Sequence, residues 1–162
     1  MVVGMDDSDF EGLCRTQYGP LTRAAFLIVG DREEATDIAQ ETLARALERW
    51  DQVQNMENQV GWLYRVATNQ AISHRRRRRP RGHITEPFTN DEPSDPALAR
   101  ALATLTPAQR GVIVLRFYLD RSVDETAEIL SKAPGTVKAL TFQGLSRLRD
   151  ELGASWLEVS DG

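Results

Sequence analysis

Apolar residues recur at intervals of three and four positions over both ends of the chain, which is the period of amphipathic α-helices. The first helical stretch begins near Phe10 and ends at Gly30. Within it, Gly19-Pro20 predicts a break or a kink, because proline removes a backbone donor from the helix. No segment alternates with a period of two residues, so the sequence predicts an all-α fold.

A second helix is predicted directly after Gly30. Asp31 has the chemistry of an N-cap, and Glu34 stands at the spacing of a capping box. The helical period continues to about Trp50. Its apolar and small positions share one face, which we expect to be buried: Ala35, Ile38, Ala39, Thr42, Leu43, Ala46, Leu47 and Trp50.

The remaining elements are predicted from local start signals. Residues 51–58 are polar and lack a period, which indicates a loop before a third helix over about 59–78. Residues 106–109 (TPAQ) combine an N-cap, a proline at the first helical position and a capping-box glutamine. Residues 122–125 (SVDE) begin another short helix, and a last helix is expected over about 136–152.

The middle of the chain is rich in proline. Four of the seven prolines fall between residues 80 and 96, where no helical or strand period is present. Such a stretch is typical of an extended linker. We therefore expect two small helical domains, at 1–79 and 97–158, joined by an acidic linker over 80–96. Each has fewer than about 80 residues, so each core should be modest in stability alone.

Composition excludes several classes of protein. The 162 residues contain no apolar run near the ~20 residues of a membrane span. The first residues have neither the basic nor the apolar region of a secretory signal. Cys14 is the only cysteine, so an intrachain disulfide is impossible, and we expect a cytoplasmic protein without membrane insertion. On an apolar helix face, Cys14 itself is better interpreted as a buried structural thiol than as a redox handle.

The net charge of −4 conceals one dense basic block. Residues 75–81 carry six arginines and no acidic residue. The block follows Trp62, Arg65 and Asn69 on the predicted third helix. Aromatic, amide and cationic groups together suit single-stranded DNA, through stacking, base-edge hydrogen bonds and backbone charge. A solvated charge run remains the alternative, and Trp62 alone is better interpreted as a core residue.

Asp37, Gln40 and Glu41 lie three and four positions apart and share one face of the second helix. Paired carboxylates can serve acid–base catalysis or bind metal, but no histidine, glycine-rich phosphate loop or nucleophile triad accompanies them. We therefore predict no enzyme activity, no metal site and no cofactor. An acidic stripe that binds a protein partner is the favoured interpretation, and a solvated helix face is the alternative.

Residues 122–148 form the strongest local motif: a short helix, a turn and a second amphipathic helix. This is the pattern of a helix-turn-helix, in which the second helix enters the DNA major groove. Small Ala127 and apolar Val137 suit the junction between the two helices, whereas Ser131 stands where such turns usually have glycine. An αα-hairpin packed only for stability is the alternative.

Taken together, these features resemble the extracytoplasmic-function sigma factors of bacterial RNA polymerase, and in particular an actinobacterial SigE-like subgroup. The resemblance covers about residues 9–152. It is carried by four stretches in the family's order and spacing: residues 30–35 (GDREEA), 37–42 (DIAQET), 62–69 (WLYRVATN) and 135–138 (GTVK).

The resemblance implies a role for each part of the first domain. Asp37, Gln40 and Glu41 match the helix that docks on the largest polymerase subunit. The loop 51–58 matches the segment that captures a flipped base of the minus-ten promoter element. The third helix matches the segment that melts and reads that element. The residues implied in minus-ten binding are Asn55, Met56, Asn58, Trp62, Arg65, Asn69, Arg75, Arg76 and Arg77.

For the second domain, the resemblance implies recognition of the minus-thirty-five element and contact with the second-largest polymerase subunit. Many relatives continue after residue 138 with serine and several arginines, whereas residues 139–144 here read ALTFQG. Because each phosphate contact adds to affinity, we expect upstream binding to be weaker or differently specific. The residues implied in it are Thr136, Lys138, Phe142, Gln143, Arg147 and Arg149.

The expected partners are core RNA polymerase, promoter DNA and an anti-sigma factor, with a monomer as the free state. The resemblance thus implies an alternative sigma factor that directs promoter-specific initiation and is held inactive by the anti-sigma factor. A free-standing helix-turn-helix regulator is the alternative function. Such a regulator would need a ligand-binding or dimerisation domain in residues 1–79, where the sequence instead places an acidic docking helix and an arginine-rich helix.

Overall fold

The computed structural model describes residues 7–77 and 96–153, and every regular element in these two ranges is helical. The all-α prediction is therefore confirmed for the described part of the chain. The first range contains four helices: α1 (Asp7–Val29), α2 (Arg32–Glu48), α3 (Trp50–Val53) and α4 (Gln59–Arg77).

The second range contains four further helices, and a π-helical turn, Val114–Tyr118, continues the second of them. Apart from Pro96, the predicted linker 80–96 lies outside the described residues, as do residues 154–158 of the predicted second domain. The helices are α5 (Pro96–Ala103), α6 (Pro107–Ile113), α7 (Val123–Leu130) and α8 (Pro134–Leu152).

The predicted helix starts are confirmed by their caps. Asp31 Oδ1 accepts a hydrogen bond from the backbone N–H of Glu34 at 3.0 Å. Thr106 and Gln109 form a reciprocal capping box, with both bonds at 3.2 Å. Ser122 likewise caps α7. Each cap satisfies a backbone donor that the first turn of a helix leaves unpaired, which explains why these starts could be predicted locally.

The prediction of a helix break at Gly19-Pro20 was wrong, because α1 continues through Pro20. Proline inside a helix removes one hydrogen bond and costs about 3 kcal/mol. Here buried side chains lie on both sides of the proline: Leu13 is buried before it, and Leu21 and Ile28 after it are completely inaccessible to solvent. Burial of these side chains holds both sides of Pro20 in one helix.

Two other predicted boundaries were wrong. The loop expected over 51–58 begins with the short helix α3, because Trp50 and Val53, one turn apart, are both buried in the core. Helix α8 begins at Pro134 rather than at Thr136, since proline is well suited to the first helical position.

The buried core is shared between the two described ranges. Leu21 of α1 and Leu63 of α4 belong to the same hydrophobic cluster as Val112, Leu115 and Val137 from the second half of the chain. All five side chains are completely buried. The two halves therefore pack directly on each other, and α4 in particular contacts both α6 and α7. A smaller second cluster contains Ala101, Leu102, Leu105, Ile113 and Leu148.

Candidate functional site

The predicted acidic stripe is exposed on α2. Asp37, Gln40 and Glu41 all face solvent, whereas the neighbouring Ile38 is buried. Glu41 forms an ion pair with Arg45 one turn later, with the two side-chain atoms 2.9 Å apart. Both side chains are about half exposed, so this pair contributes little to stability and leaves the stripe accessible.

Leu47 extends this stripe and was wrongly predicted to face the core. Its side chain is 42% exposed, although the other α2 positions that were predicted for the buried face are buried. Gln40, Ala44 and Leu47 follow one another at intervals of four and three residues, so they lie on the same exposed side of α2. The exposed surface of α2 is therefore acidic and polar with one aliphatic group near its end. We refer to Asp37, Gln40, Glu41, Ala44 and Leu47 as the α2 stripe.

Trp62, Arg65 and Asn69 occupy one side of α4, beside a cleft of about 580 Å³ between α2 and α4. Trp62 is half-buried and packs against the edge of the core while also lining the cleft. Sequence reasoning missed several polar groups here, although their helical spacing from Asn69 indicates the same face. The cleft is lined by Ile38, Glu41, Arg45, Trp62, Arg65, Val66, Asn69, Gln70, Ser73 and His74.

The loop before α4 holds three predicted minus-ten residues, and two of them make local backbone contacts. The Asn55 side-chain amide donates to the Asp51 carbonyl at 2.8 Å. Asn58 Oδ1 accepts from the Gly61 N–H at 2.8 Å, which caps the start of α4. Both asparagines are nevertheless exposed, while Met56 packs partly against the core. The two amides thus fix the shape of the loop.

Arg75 lies at the junction of α1, α4 and α5 rather than on an open surface. Its guanidinium donates to the Ile28 carbonyl at 3.3 Å and to the Ala103 carbonyl at 3.0 Å. Burial lowers the pKa of Arg75. The nearby Arg110 donates to the Leu27 carbonyl, and its pKa is lowered to about 9, chiefly by burial and further by Arg75. Two cations therefore meet the carbonyl end of α1, where the helix dipole is negative.

The other predicted block residues, Arg76 and Arg77, belong to the end of α4, and their side chains lie outside the described part of the structure.

The side of α4 that carries Arg65 and Asn69 contacts the second half of the chain at two further points. Asn69 Nδ2 donates to the Ile129 carbonyl at 3.0 Å, and Arg65 Nη2 donates to Ser131 Oγ at 3.4 Å. These bonds connect α4 to the last turn and the C-cap of α7. Polar groups with DNA-binding chemistry are thus engaged within the chain.

Helices α7 and α8 form the predicted helix-turn-helix arrangement. Ala127 is buried where the helices approach, and Val137 is completely buried at the junction. Ser131 forms the C-cap of α7 with φ +53° and ψ +45°, a left-handed conformation that glycine adopts more readily. Position 131 therefore has the left-handed backbone conformation for which such turns usually have glycine, although this chain has serine there.

The outer side of α8 presents the predicted upstream-element residues to solvent. Phe142 is 75% exposed, the largest value among the exposed large hydrophobic side chains of the described residues. The Gln143 Oε1 accepts a hydrogen bond from Gln109 Nε2 at 3.3 Å, so this amide also contacts α6. All six predicted residues are exposed: Thr136, Lys138, Phe142, Gln143, Arg147 and Arg149.

No helix within residues 7–77 and 96–153 is both long enough and apolar enough to cross a membrane.

Comparison with protein families gives two matches along the chain. Residues 13–81 match sigma-70 region 2, and residues 101–150 match sigma-70 region 4. The first match contains the α2 stripe and α4, and the second contains the helix-turn-helix. A solved structure of the sigma factor RpoE in complex with the anti-sigma factor NepR from Bartonella quintana has a similar fold. Its TM-score is 0.76 over 89% of this chain and 96% of that chain, at 23% identity.

Individual relatives give the same assignment. The RNA polymerase sigma-E factor of Streptomyces coelicolor is 35% identical, over 93% of this chain and 90% of that protein. The ECF RNA polymerase sigma factor SigL of Mycobacterium tuberculosis is 32% identical, over 83% of this chain and 85% of that protein. These matches support the sigma-factor interpretation and not the free-standing regulator. The chain therefore belongs to the sigma-70 family of RNA polymerase sigma factors, in its extracytoplasmic-function class.

Proposed function

We propose that three helices of this sigma factor have separate binding functions. The α2 stripe docks on the largest subunit of core RNA polymerase, α4 melts and reads the minus-ten element, and α8 reads the minus-thirty-five element. The observation that carries this proposal is the order of matches: region 2 contains the stripe and α4, and region 4 contains α8. The exposure of the stripe and of the outer side of α8 supports it.

The α2 stripe has the character of a protein-binding surface. Its polar members supply hydrogen bonds and negative charge, and Leu47 supplies an aliphatic group 42% exposed to solvent. Protein interfaces commonly combine a few apolar anchors with a polar rim. We therefore include Leu47 among the docking residues, beside Asp37, Gln40 and Glu41.

The cleft beside α4 suits an unstacked nucleotide. Trp62 offers a ring for stacking, Asn69 and Gln70 offer amides for base edges, and Arg65 offers a cation for the backbone. Extracting a base from a duplex costs a few kcal/mol, which a preformed cleft offsets. We assign the downstream strand to this side of α4, with Asn55, Met56 and Asn58 at the adjacent loop and Arg75, Arg76 and Arg77 at the far end of the helix.

Promoter binding requires the two halves to separate. The centres of the minus-ten and minus-thirty-five elements are about 25 base pairs apart, which corresponds to about 85 Å along B-form DNA at ~3.4 Å per base pair. In this structure, α4 contacts α7, and α7 contacts α8. Because α7 alone separates α4 from α8, these two helices lie too close together to bind both promoter elements at once. We propose that polymerase binding separates α4 from α7 and releases Arg65 and Asn69 from Ser131 and Ile129.

A footprinting experiment on reconstituted holoenzyme tests this assignment. Lys138→Ala and Arg147→Ala should reduce protection of the upstream element only. Arg65→Ala should instead reduce permanganate reactivity of thymines in the melted minus-ten region, because fewer bases are held unpaired. Asp150→Ala, which changes an exposed residue of α8, is the matched control. Loss of downstream melting in the Lys138→Ala protein, with normal upstream protection, would contradict the assignment of α8.

We also propose the partners and location that the family implies. An anti-sigma factor would inhibit the protein by covering the α2 stripe, the free protein would be a monomer, and both would act in the cytoplasm, where core polymerase is found. The exposure of the stripe supports an accessible target. Light scattering of the purified protein tests the monomer, and a purified inhibitor should compete with core polymerase for it.

A further inference from the structure

Phe142 is an apolar residue that the core does not require. Helix α8 packs through Val137, Gly144 and Leu148, which are buried on its inner side. Phe142 lies on the opposite side and is 75% exposed. An aromatic ring carries a large apolar area, which a binding partner can cover.

The other exposed large hydrophobic side chains have local explanations within the described structure. An arginine guanidinium lies 5.8 Å from the ring centroid of Phe117. The Tyr118 hydroxyl accepts a hydrogen bond from Arg23 at 3.1 Å. Leu47 ends the α2 stripe. Phe142 differs from these because it stands at the middle of the helix that we assign to the DNA major groove.

The surroundings of Phe142 on α8 are cationic and small. Lys138 precedes it by one turn, Arg149 follows it by two turns, and Ala139 and Ser146 lie beside it at intervals of three and four residues. Lys138 and Arg149 are both exposed. The ring of Phe142 is therefore the apolar centre of a surface with a positive charge at each end. Such a surface complements the DNA major groove, where an apolar group on a base lies between two phosphate backbones.

The DNA major groove offers one apolar group on its base edges, the C5-methyl group of thymine. Phenylalanine is among the side chains that contact this methyl. The neighbouring Gln143 is already bonded to Gln109 of α6, which leaves the ring as the central base-facing group of the helix. We propose that Phe142 is a specificity-determining residue that selects a thymine in the upstream promoter element through its methyl group. This inference rests on the proposed function of α8.

Deoxyuridine substitution tests the contact directly, because uracil differs from thymine only by the absence of the C5-methyl. Holoenzyme is reconstituted from core polymerase, and its affinity is measured for promoter duplexes in which each upstream thymine is replaced in turn. The native protein should lose about fourfold at one position, the value expected for one buried methyl group. Phe142→Ala should bind the thymine and uracil duplexes equally at that position, and Phe142→Leu should retain part of the difference.

Two controls make the outcome specific. Lys138→Ala should weaken binding to both duplexes by the same factor and leave the thymine-to-uracil ratio unchanged. Binding of each variant to core polymerase is measured in parallel, and circular dichroism verifies that the exposed substitution leaves the helices intact. A Phe142→Ala protein that loses core binding instead of methyl discrimination would show that the ring contacts protein, which would overturn the inference.

The inference and the proposed function fail in different ways. If the native holoenzyme protects the upstream element but no thymine position shows a ratio that depends on Phe142, the inference is overturned and the assignment of α8 stands. If the native holoenzyme binds no promoter selectively, the proposed function itself fails, and this inference fails with it.

Discussion

The side-chain amide of Asn69 donates a hydrogen bond to the backbone carbonyl of Ile129 at 3.0 Å. This bond joins α4, the helix that we assign to the minus-ten element, to the last turn of α7. Helix α7 is the first helix of the helix-turn-helix. Arg65 and Arg75 make further polar contacts with the second half of the chain. These three side chains thus hold the two halves of the chain together in this structure, and they are side chains that we propose to bind DNA once the halves separate.

The shared core predicts that the two halves unfold together. Leu115 is completely buried in the cluster that also contains Leu21 and Leu63. Leu115→Ala should lower the free energy of unfolding by about 2–5 kcal/mol, because it leaves a cavity. Amide hydrogen exchange should then increase in α1 and α4 as well as in α6. Faster exchange confined to residues 96–153 would show that the halves are independent.

Ser131 predicts a stabilising substitution. Its φ of +53° places a serine in the left-handed region, which is unfavourable by about 1–2 kcal/mol for residues with a Cβ. Ser131→Gly removes the exposed hydrogen bond from Arg65 at 3.4 Å. It should still raise the free energy of unfolding by about 0.5–1 kcal/mol, after allowance for the greater flexibility of glycine in the unfolded chain. Urea denaturation measures the change.

Glu128 offers a matched control for this substitution, because it is exposed on the same helix, α7, in the ordinary right-handed conformation. Glu128→Gly should lower the free energy of unfolding by about 1 kcal/mol, since glycine is unfavourable inside a helix. Equal stabilisation by both substitutions would contradict the role assigned to the left-handed conformation.

The α2 stripe predicts separate effects on stability and on polymerase binding. Asp37→Ala and Leu47→Ala should each leave the melting temperature nearly unchanged, since both side chains are exposed. Each should weaken binding to core polymerase by about tenfold, the usual effect of losing one important interface contact. Fluorescence competition for core polymerase measures the affinity.

Glu11→Ala is the control, because it removes an exposed carboxylate from α1, a different helix from that of the stripe. It should compete for core polymerase as well as the native protein does. Unchanged competition by the Asp37→Ala and Leu47→Ala proteins would remove the stripe from the docking surface.

The arginine block predicts a defect after polymerase binding. Arg76→Glu combined with Arg77→Glu should lower open-complex formation more than core binding, because the reversed charges repel the promoter backbone. Arg100→Glu, which reverses an exposed charge on α5, serves as the matched control. Open complexes are measured by heparin-resistant retention of promoter DNA. Equal losses in core binding and open-complex formation would argue against a melting role.

The sequence predicted those features of the fold that depend on local chemistry. Asp31, Thr106 and Ser122 were identified as caps because their bonds reach only three residues along the chain. The side chain of Leu47 was placed wrongly because it lies at the edge of the apolar face of α2, where tertiary packing decides exposure. The short helix α3 was missed because its two buried residues, Trp50 and Val53, are too few to give a period.

The parts of the site that involve both halves could not be predicted. The family resemblance implies minus-ten binding for Arg75, and its contacts with the carbonyl groups of Ile28 and Ala103 were not predicted. Nothing near Arg75 in the sequence indicates these partners, because each lies 28 or more residues away. The exposure of Asp37, Gln40 and Glu41 and of the outer side of α8 follows from helical period, which explains why those positions were recognised.

Reconstitution with purified bacterial core RNA polymerase tests whether this chain acts as a sigma factor. The protein and the core enzyme are co-purified by size exclusion and used for run-off transcription from a promoter library. We expect co-migration and selective transcripts from a two-part promoter, both reduced by Asp37→Ala. A protein that fails to co-migrate, but that alone shifts duplex DNA, would instead be a free-standing DNA-binding regulator.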